Sequence, residues 1–171
     1  MSWVPRFPEV KANLHLSNGE FGSIVSLGAI GNIVSQIIVG HLVHKYGARW
    51  IMHVAAFFLA VSLISLTNTN SSLFFLVFIV IQGAAISAFH VSINSQGFHY
   101  QDRTNSQVVT LLSGFWSSGA LITSILAGFL VNRVALGTYS NGLAFLSFLL
   151  MVWIIREITP NLVKANINPD T

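Results

Sequence analysis

An all-helical bundle of five membrane spans is the fold class this sequence predicts, and three observations predict it. Apolar residues make up 53% of the 171 and charged residues only 8%, with a mean hydropathy of +0.71, the composition of a chain dissolved largely in hydrocarbon. The few charges are widely spaced: no Asp, Glu, Lys or Arg lies between Glu20 and Lys45, between Arg49 and Asp102, between Arg103 and Arg133, or between Arg133 and Arg156. Short polar clusters punctuate what is left. A span needs ~20 mostly apolar residues, because lipid offers backbone groups no partner and a helix pairs them internally. Each gap holds at least one, and the spans fall at residues 21–43, 49–67, 72–95, 107–131 and 139–156.

Residues 1–20 carry Pro5, Arg6, Pro8, Glu9 and Lys11 and form an external loop ahead of the bundle. They end in "SNGE", where Ser17 followed three residues later by Glu20 matches a capping box and marks the start of the first span. That span reaches Gly40, after which "HLVHKYGARW" leaves room only for a tight helical hairpin into the second. "NTNSS" at residues 68–72 divides the long uncharged stretch into the second and third spans. "HYQDRTNSQ" separates the third from the fourth and "NRVALGTYSN" the fourth from the fifth. "REITPNLVKANINPDT" follows as a polar tail, so residues 157–171 are cytoplasmic or begin a central loop.

Alternating these connections places residues 44–49, 98–106 and 156–171 on one side, with Lys45, Arg49, Arg103, Arg156 and Lys164. The other side holds Arg6, Lys11 and Arg133. The excess of basic residues makes the first side cytoplasmic and leaves the N-terminus outside. A basic N-terminal segment has to be translocated, and no span precedes it within the sequence.

Several function classes are excluded. The sequence pI of about 9.7 comes from eight bases against five acids spread over every loop, not from a basic patch with interleaved aromatics, so nucleic acid is not a partner. There is no cysteine, hence no disulfide and no thiolate metal site. "MSWVPRFPEVKANLHLS" lacks the apolar core of a signal peptide. No His-Glu-x-x-His helix, Gly-x-Ser-x-Gly elbow or pair of intramembrane carboxylates indicates an enzyme. His41 and His44, three apart, offer a metal two ligands without a third, so no metal is expected.

Polar side chains inside a span are costly and face a cavity or another helix. In the first span Gly28, Asn32, Gln36 and Gly40 recur every four residues and form one stripe. In the third, Gln82, Gly83, Ser87, His90 and Asn94 fall within about 140° of one another at 100° per residue. Facing each other, the two stripes line a solute path, with Asn32, Gln36, Gln82, His90 and Asn94 as its polar groups and Trp116 of the fourth span as a stacking surface. The other use of such residues is to bond helices together, and the Ala120, Ser124, Gly128 row is read that way. With no arginine inside a span to pair an anion, the path suits a neutral, hydroxylated or amphipathic solute.

"GHLVHKYGARW" resembles the signature loop between the second and third helices of major facilitator superfamily transporters. Gly40, Leu42, Lys45, Gly47 and Arg49 fall on that pattern, and His44 stands where an Asp is usual. "SWVPRFPEVKANLHLSNGEFG" is similar to the end of the family's first helix with its external loop, and "IQGAAISAFHVSINSQG" and "GFWSSGALITSILAG" to its fourth and fifth helices. Ile79 replaces the family's usual fourth-helix arginine, and the fifth-helix Gly-Pro pair of its antiporters is absent. The resemblance implies a secondary transporter working by alternating access in a bacterial-type inner membrane. It also implies that this chain is the N-terminal half of a twelve-helix carrier, lacking most of helix one, with a second transporter half as partner.

On the same resemblance, Gly40, His44, Lys45, Gly47 and Arg49 form a gating loop that bonds to neighbouring helix ends in one state and releases them in the other. Asp102 is its expected counter-charge, and His44 makes it responsive to pH. No cofactor is expected. Two rival classes remain: a non-transporting membrane protein that assembles with or regulates another carrier, and a b-haem protein ligated by His53 and His90 from adjacent antiparallel spans.

Overall fold

A computed structural model describes residues 4–131 and 133–158. The tail beyond them, with Lys164, lies outside the described residues. A 3-10 turn, Val4–Arg6, leads into a short helix α1, Phe7–Asn13, and then into five long helices. These are α2 (Asn18–Tyr46), α3 (Ala48–Asn68), α4 (Ser72–Thr104), α5 (Val108–Leu130) and α6 (Leu136–Glu157). All five are long and apolar enough to cross a membrane, so the chain is a multi-pass integral membrane protein. No strand occurs among the described residues.

The helices begin and end where local chemistry dictates. Ser17 Oγ accepts from the backbone N–H of Glu20 at 3.3 Å while a Glu20 carboxylate oxygen accepts from the Ser17 N–H at 2.9 Å, a reciprocal cap on α2. Between α2 and α3 stands the single residue Gly47, at φ 87° and ψ 146°, a conformation that only glycine adopts without strain. This one residue reverses the chain. Thr69 closes α3 in an extended conformation. Asn105, at φ 50° and ψ 35°, ends α4 in the left-handed region that asparagine tolerates.

Two segments differ from the sequence reading. The break expected at residues 98–106 comes late, because α4 runs on to Thr104. At 33 residues it spans about 50 Å, well beyond the ~30 Å of hydrocarbon. Its last turns project past the lipid, where Gln101, Asp102 and Arg103 are no obstacle to a helix. The N-terminal segment is also more ordered than a plain loop. Pro8 sits in the first turn of α1, where its missing N–H costs nothing, and Val10 and Leu14 are buried against Phe21, Leu66 and Phe75 in one core.

Arg6 ties this segment to the far end of the chain. Its guanidinium pairs with both carboxylate oxygens of Glu9, at 2.9 and 3.0 Å. It also donates to the carbonyls of Val131 and Val134, at 3.0 and 2.6 Å, just past the C-terminus of α5, where a cation meets the negative end of the helix. The Tyr139 ring covers its other face, 5.2 Å away. Only 1% of Arg6 is exposed.

In the bundle α4 is central, touching α2, α3 and α5, and α3 also packs on α6. Apolar burial cannot hold helices together in lipid, so close packing and hydrogen bonds must. At the α2–α4 crossing Gly28, Gly31 and Gly83 bring the backbones together. A Cβ on Gly31 would collide with the Val80 carbonyl, and one on Gly83 with that of Gly28. Ser35 Oγ donates to the Ala84 carbonyl across the same interface at 2.9 Å. Between α3 and α6, Asn68 Nδ2 donates to Asn141 Oδ1 at 3.0 Å. A second core, with Val43, Ile51, Met52 and Ile155, closes the end near Gly47.

Candidate functional site

The polar face of α4 turns away from α2. Gly83 and Val80 occupy the α2 crossing, which directs Gln82, Ile86 and His90 toward α3, α5 and α6. There they line a cavity of about 160 Å³, closed on other sides by Leu63, Phe148 and Trp116. One turn further along α4, His90 and Asn94 line a second cavity of about 180 Å³ with Ser113, Trp116 and Ser117 of α5. Phe89, His90 and Trp116 belong to both. The His90 and Trp116 rings meet edge to face with centroids 4.3 Å apart, so this pair forms the partition between a mainly apolar chamber and a more polar one.

Four of the six expected path residues, Gln82, His90, Asn94 and Trp116, are therefore brought together. Gln82 is buried, His90 and Asn94 are half-buried, and Trp116 is exposed. Asn32 and Gln36 are not among them. Gln36 Nε2 donates to Asn32 Oδ1 at 2.7 Å, and the pair lines neither cavity. The two stripes meet at Gly28 and Gly83, where the helix backbones touch, so no cavity lined by both opens between them. In the row of Ala120, Ser124 and Gly128 on α5, Ala120 and Ser124 are half-buried and Gly128 is exposed, with nothing within 4 Å of a Cβ placed on it.

Ser113 and Ser117 are the polar residues that sequence reasoning missed. They sit one turn apart beside Trp116, and each hydroxyl donates to its own helix, to Val109 O at 3.1 Å and Ser113 O at 3.0 Å. Their oxygens retain lone pairs toward the cavity. The i, i+4 spacing flanking an aromatic was the available signal. Arg6 was missed too, having been read only as a charge to count.

The loop residues fall into three situations. Gly40 and His44 are exposed on α2. Lys45 extends its ammonium over the Tyr46 ring at 5.3 Å. Arg49 crosses to the end of α6, donating to the Arg156 carbonyl at 3.0 Å. Asp102, expected as the counter-charge of Lys45 or Arg49, is exposed, and the ion pair found among the described residues is Arg6 with Glu9. Arg49 is engaged at a helix terminus instead, donating to the last turn of α6. His53 Nδ1 lies 2.9 Å from the Arg49 carbonyl, and neither cavity lined by His90 includes His53. No cluster of three or more metal-ligating side chains occurs among the described residues.

The Major Facilitator Superfamily model matches residues 4–169 of the chain. No curated protein and no solved structure matches it.

Proposed function

The chain belongs to the major facilitator superfamily, a family of membrane transporters for small solutes, and from that premise we propose that it forms part of a secondary active carrier. The solute is small and uncharged or amphipathic, and moves by alternating access. The observation that carries this reading is the convergence of Gln82, His90 and Asn94 of α4 with Trp116 of α5 on two adjoining cavities. Among the described residues neither cavity has an arginine or lysine on its wall, which favours a neutral solute over an anion. Ser113 and Ser117 add hydroxyls for a polar solute group. The latch reading of Gly40, His44, Lys45, Gly47 and Arg49 is retained with one change: its contact is Arg49 on the Arg156 carbonyl, without Asp102.

The absence of cysteine supplies the test. Single cysteines replacing Asn94 and Ser117 are exposed to a charged, membrane-impermeant thiol reagent in sealed vesicles, with Ile37→Cys on the outer face of α2 as control. Rapid labelling of the first two and none of the third is the expected outcome. Silence at both 94 and 117 sinks the reading.

A rival, in which the chain assembles with another carrier and moves nothing itself, draws support from α5. It buries only Ala127 among its residues and presents Phe115, Leu121 and Phe129 outward. Incompleteness accounts for the same feature: we read the five spans as the N-terminal half of a twelve-span carrier, in the cell membrane of a bacterial-type cell, with the Lys45 side cytoplasmic. Coding sequence for an apolar stretch of about 20 residues upstream and for further spans downstream is then expected on the flanking DNA. A stop codon and ribosome site immediately before Met1, with no spans after Thr171, would leave the assembly reading in its place.

A further inference from the structure

On the outer surface of the bundle, α2, α3 and α4 enclose a groove of about 340 Å³, separate from both cavities. Its floor is the alanine row Ala84, Ala85 and Ala88, and Leu42, Trp50 and Phe58 stand along its walls. The one hydroxyl on the wall, that of Ser35, is engaged with the Ala84 carbonyl. Among the described lining residues the only other hydrogen-bonding side-chain group is the Trp50 indole N–H, and every remaining side chain is apolar, so the slot itself suits hydrocarbon.

Its position and length narrow the choice. From Trp50 to Phe58 the wall on α3 runs about 12 Å at 1.5 Å per residue, less than half the ~30 Å hydrocarbon thickness. It starts next to the Gly47 turn, at the level of the headgroups, and ends near the middle of the bilayer. One acyl chain entering from one leaflet fits this; a transmembrane helix, needing the full thickness, does not.

The mouth is equipped for the other end of such a molecule. Trp50, 57% exposed, lies against Tyr46 with ring centroids 5.6 Å apart, and the Lys45 ammonium stands over that tyrosine. Aromatic rings at this depth belong to the headgroup layer. Lys45 is exposed and has no carboxylate partner among the described residues. An unpaired cation, an interfacial aromatic pair and an apolar slot thus follow one another in the order of phosphate, glycerol and acyl chain.

We propose that the α2–α3–α4 groove binds one acyl chain of an anionic glycerophospholipid, whose phosphate is held by Lys45 beside Tyr46 and Trp50. Because the same hairpin carries Gly47 and Arg49, a bound lipid holds the loop at the membrane surface. Its occupancy is thereby linked to whatever movement the hairpin makes.

The test uses the whole chain with Trp3, Trp116 and Trp153 replaced by Phe, so that Trp50 is the sole emitter. It is placed in nanodiscs of phosphatidylcholine containing increasing fractions of a dibrominated lipid. Brominated phosphatidylglycerol is expected to half-quench Trp50 at about one fifth the fraction needed for brominated phosphatidylcholine, the ratio corresponding to one lysine near an anionic headgroup. Lys45→Gln should make the two lipids equivalent and Lys45→Arg should retain the preference. Ala84→Leu, which fills the floor, should weaken quenching by both. Helical content by circular dichroism identifies any variant that fails to fold, and the parent chain alone still decides between the two lipids. Equal quenching by both lipids in the parent overturns the proposal, as does a preference that survives Lys45→Gln. Protection of Trp50 that grows with the protein-to-lipid ratio would give the groove to a second copy of the chain, and overturns it too.

Discussion

At Gly31 an added Cβ would run into the carbonyl oxygen of Val80, and at Gly83 into that of Gly28. Backbone cannot step aside as a flexible side chain can, so the helices themselves must part. Gly31→Ala and Gly83→Ala should each cost about 1–3 kcal/mol in detergent unfolding titrations. Gly40→Ala, with nothing within 4 Å of its Cβ, should be neutral or slightly stabilising. Equal behaviour of the three would mean that the crossing is looser than described. The sequence could not separate these glycines. All lie in apolar helices, and Gly28, Gly40 and Gly83 fell on stripes that a solute path and a helix contact would produce alike. Which neighbour a stripe meets is a tertiary fact, and it placed Asn32 and Gln36 outside the cavities.

Arg6 was opaque for a related reason. A lone arginine between prolines reads as a solvated charge, and only the fold reveals the two carbonyls and the tyrosine that receive it. Arg6→Ala leaves Glu9 and those carbonyls without their donor and should lower stability by about 2–3 kcal/mol. Arg6→Lys should recover only part, because an ammonium cannot reproduce the bidentate fork. Unfolding midpoints in detergent check both. Full recovery with lysine would mean that charge alone matters.

Among the elements, the helices with strong local signals were legible and the weak ones were not. The Ser17 and Glu20 cap was readable from two letters, and the tight hairpin at residues 44–49 from its glycines and its shortness. α1 was missed because seven residues with a proline carry too little periodicity to register. The end of α4 was misplaced because polarity was taken as a break, whereas a helix leaving the bilayer becomes polar without stopping. The hairpin invites its own experiment. Gly47 holds φ 87° and ψ 146°, so Gly47→Ala should cost about 1–3 kcal/mol and loosen the contact from Arg49 to Arg156. A distance measurement between spin labels placed at 45 and 157 should then broaden. An unchanged distribution would show that the turn has other ways to close.

For the molecule as a whole, the five-span arrangement follows from charge spacing and the polar break at residues 68–72, while its internal partition does not. α3 and α4 are well embedded, yet α5 touches little besides α4 and the Val4–Arg6 turn. That uneven packing makes Arg6 more than a stabilising contact. Its acceptors at Val131 and Val134 lie 125 and 128 residues later in the chain. At a synthesis rate of about 5–20 residues per second, the arginine must wait on the order of 6–25 s after its own translation before they exist. During that interval α2 to α5 are synthesised while the Arg6 guanidinium still lacks these two acceptors. The clasp therefore closes from the α5–α6 loop back to the first turn of the described chain, and is among the last contacts of the bundle that synthesis makes available.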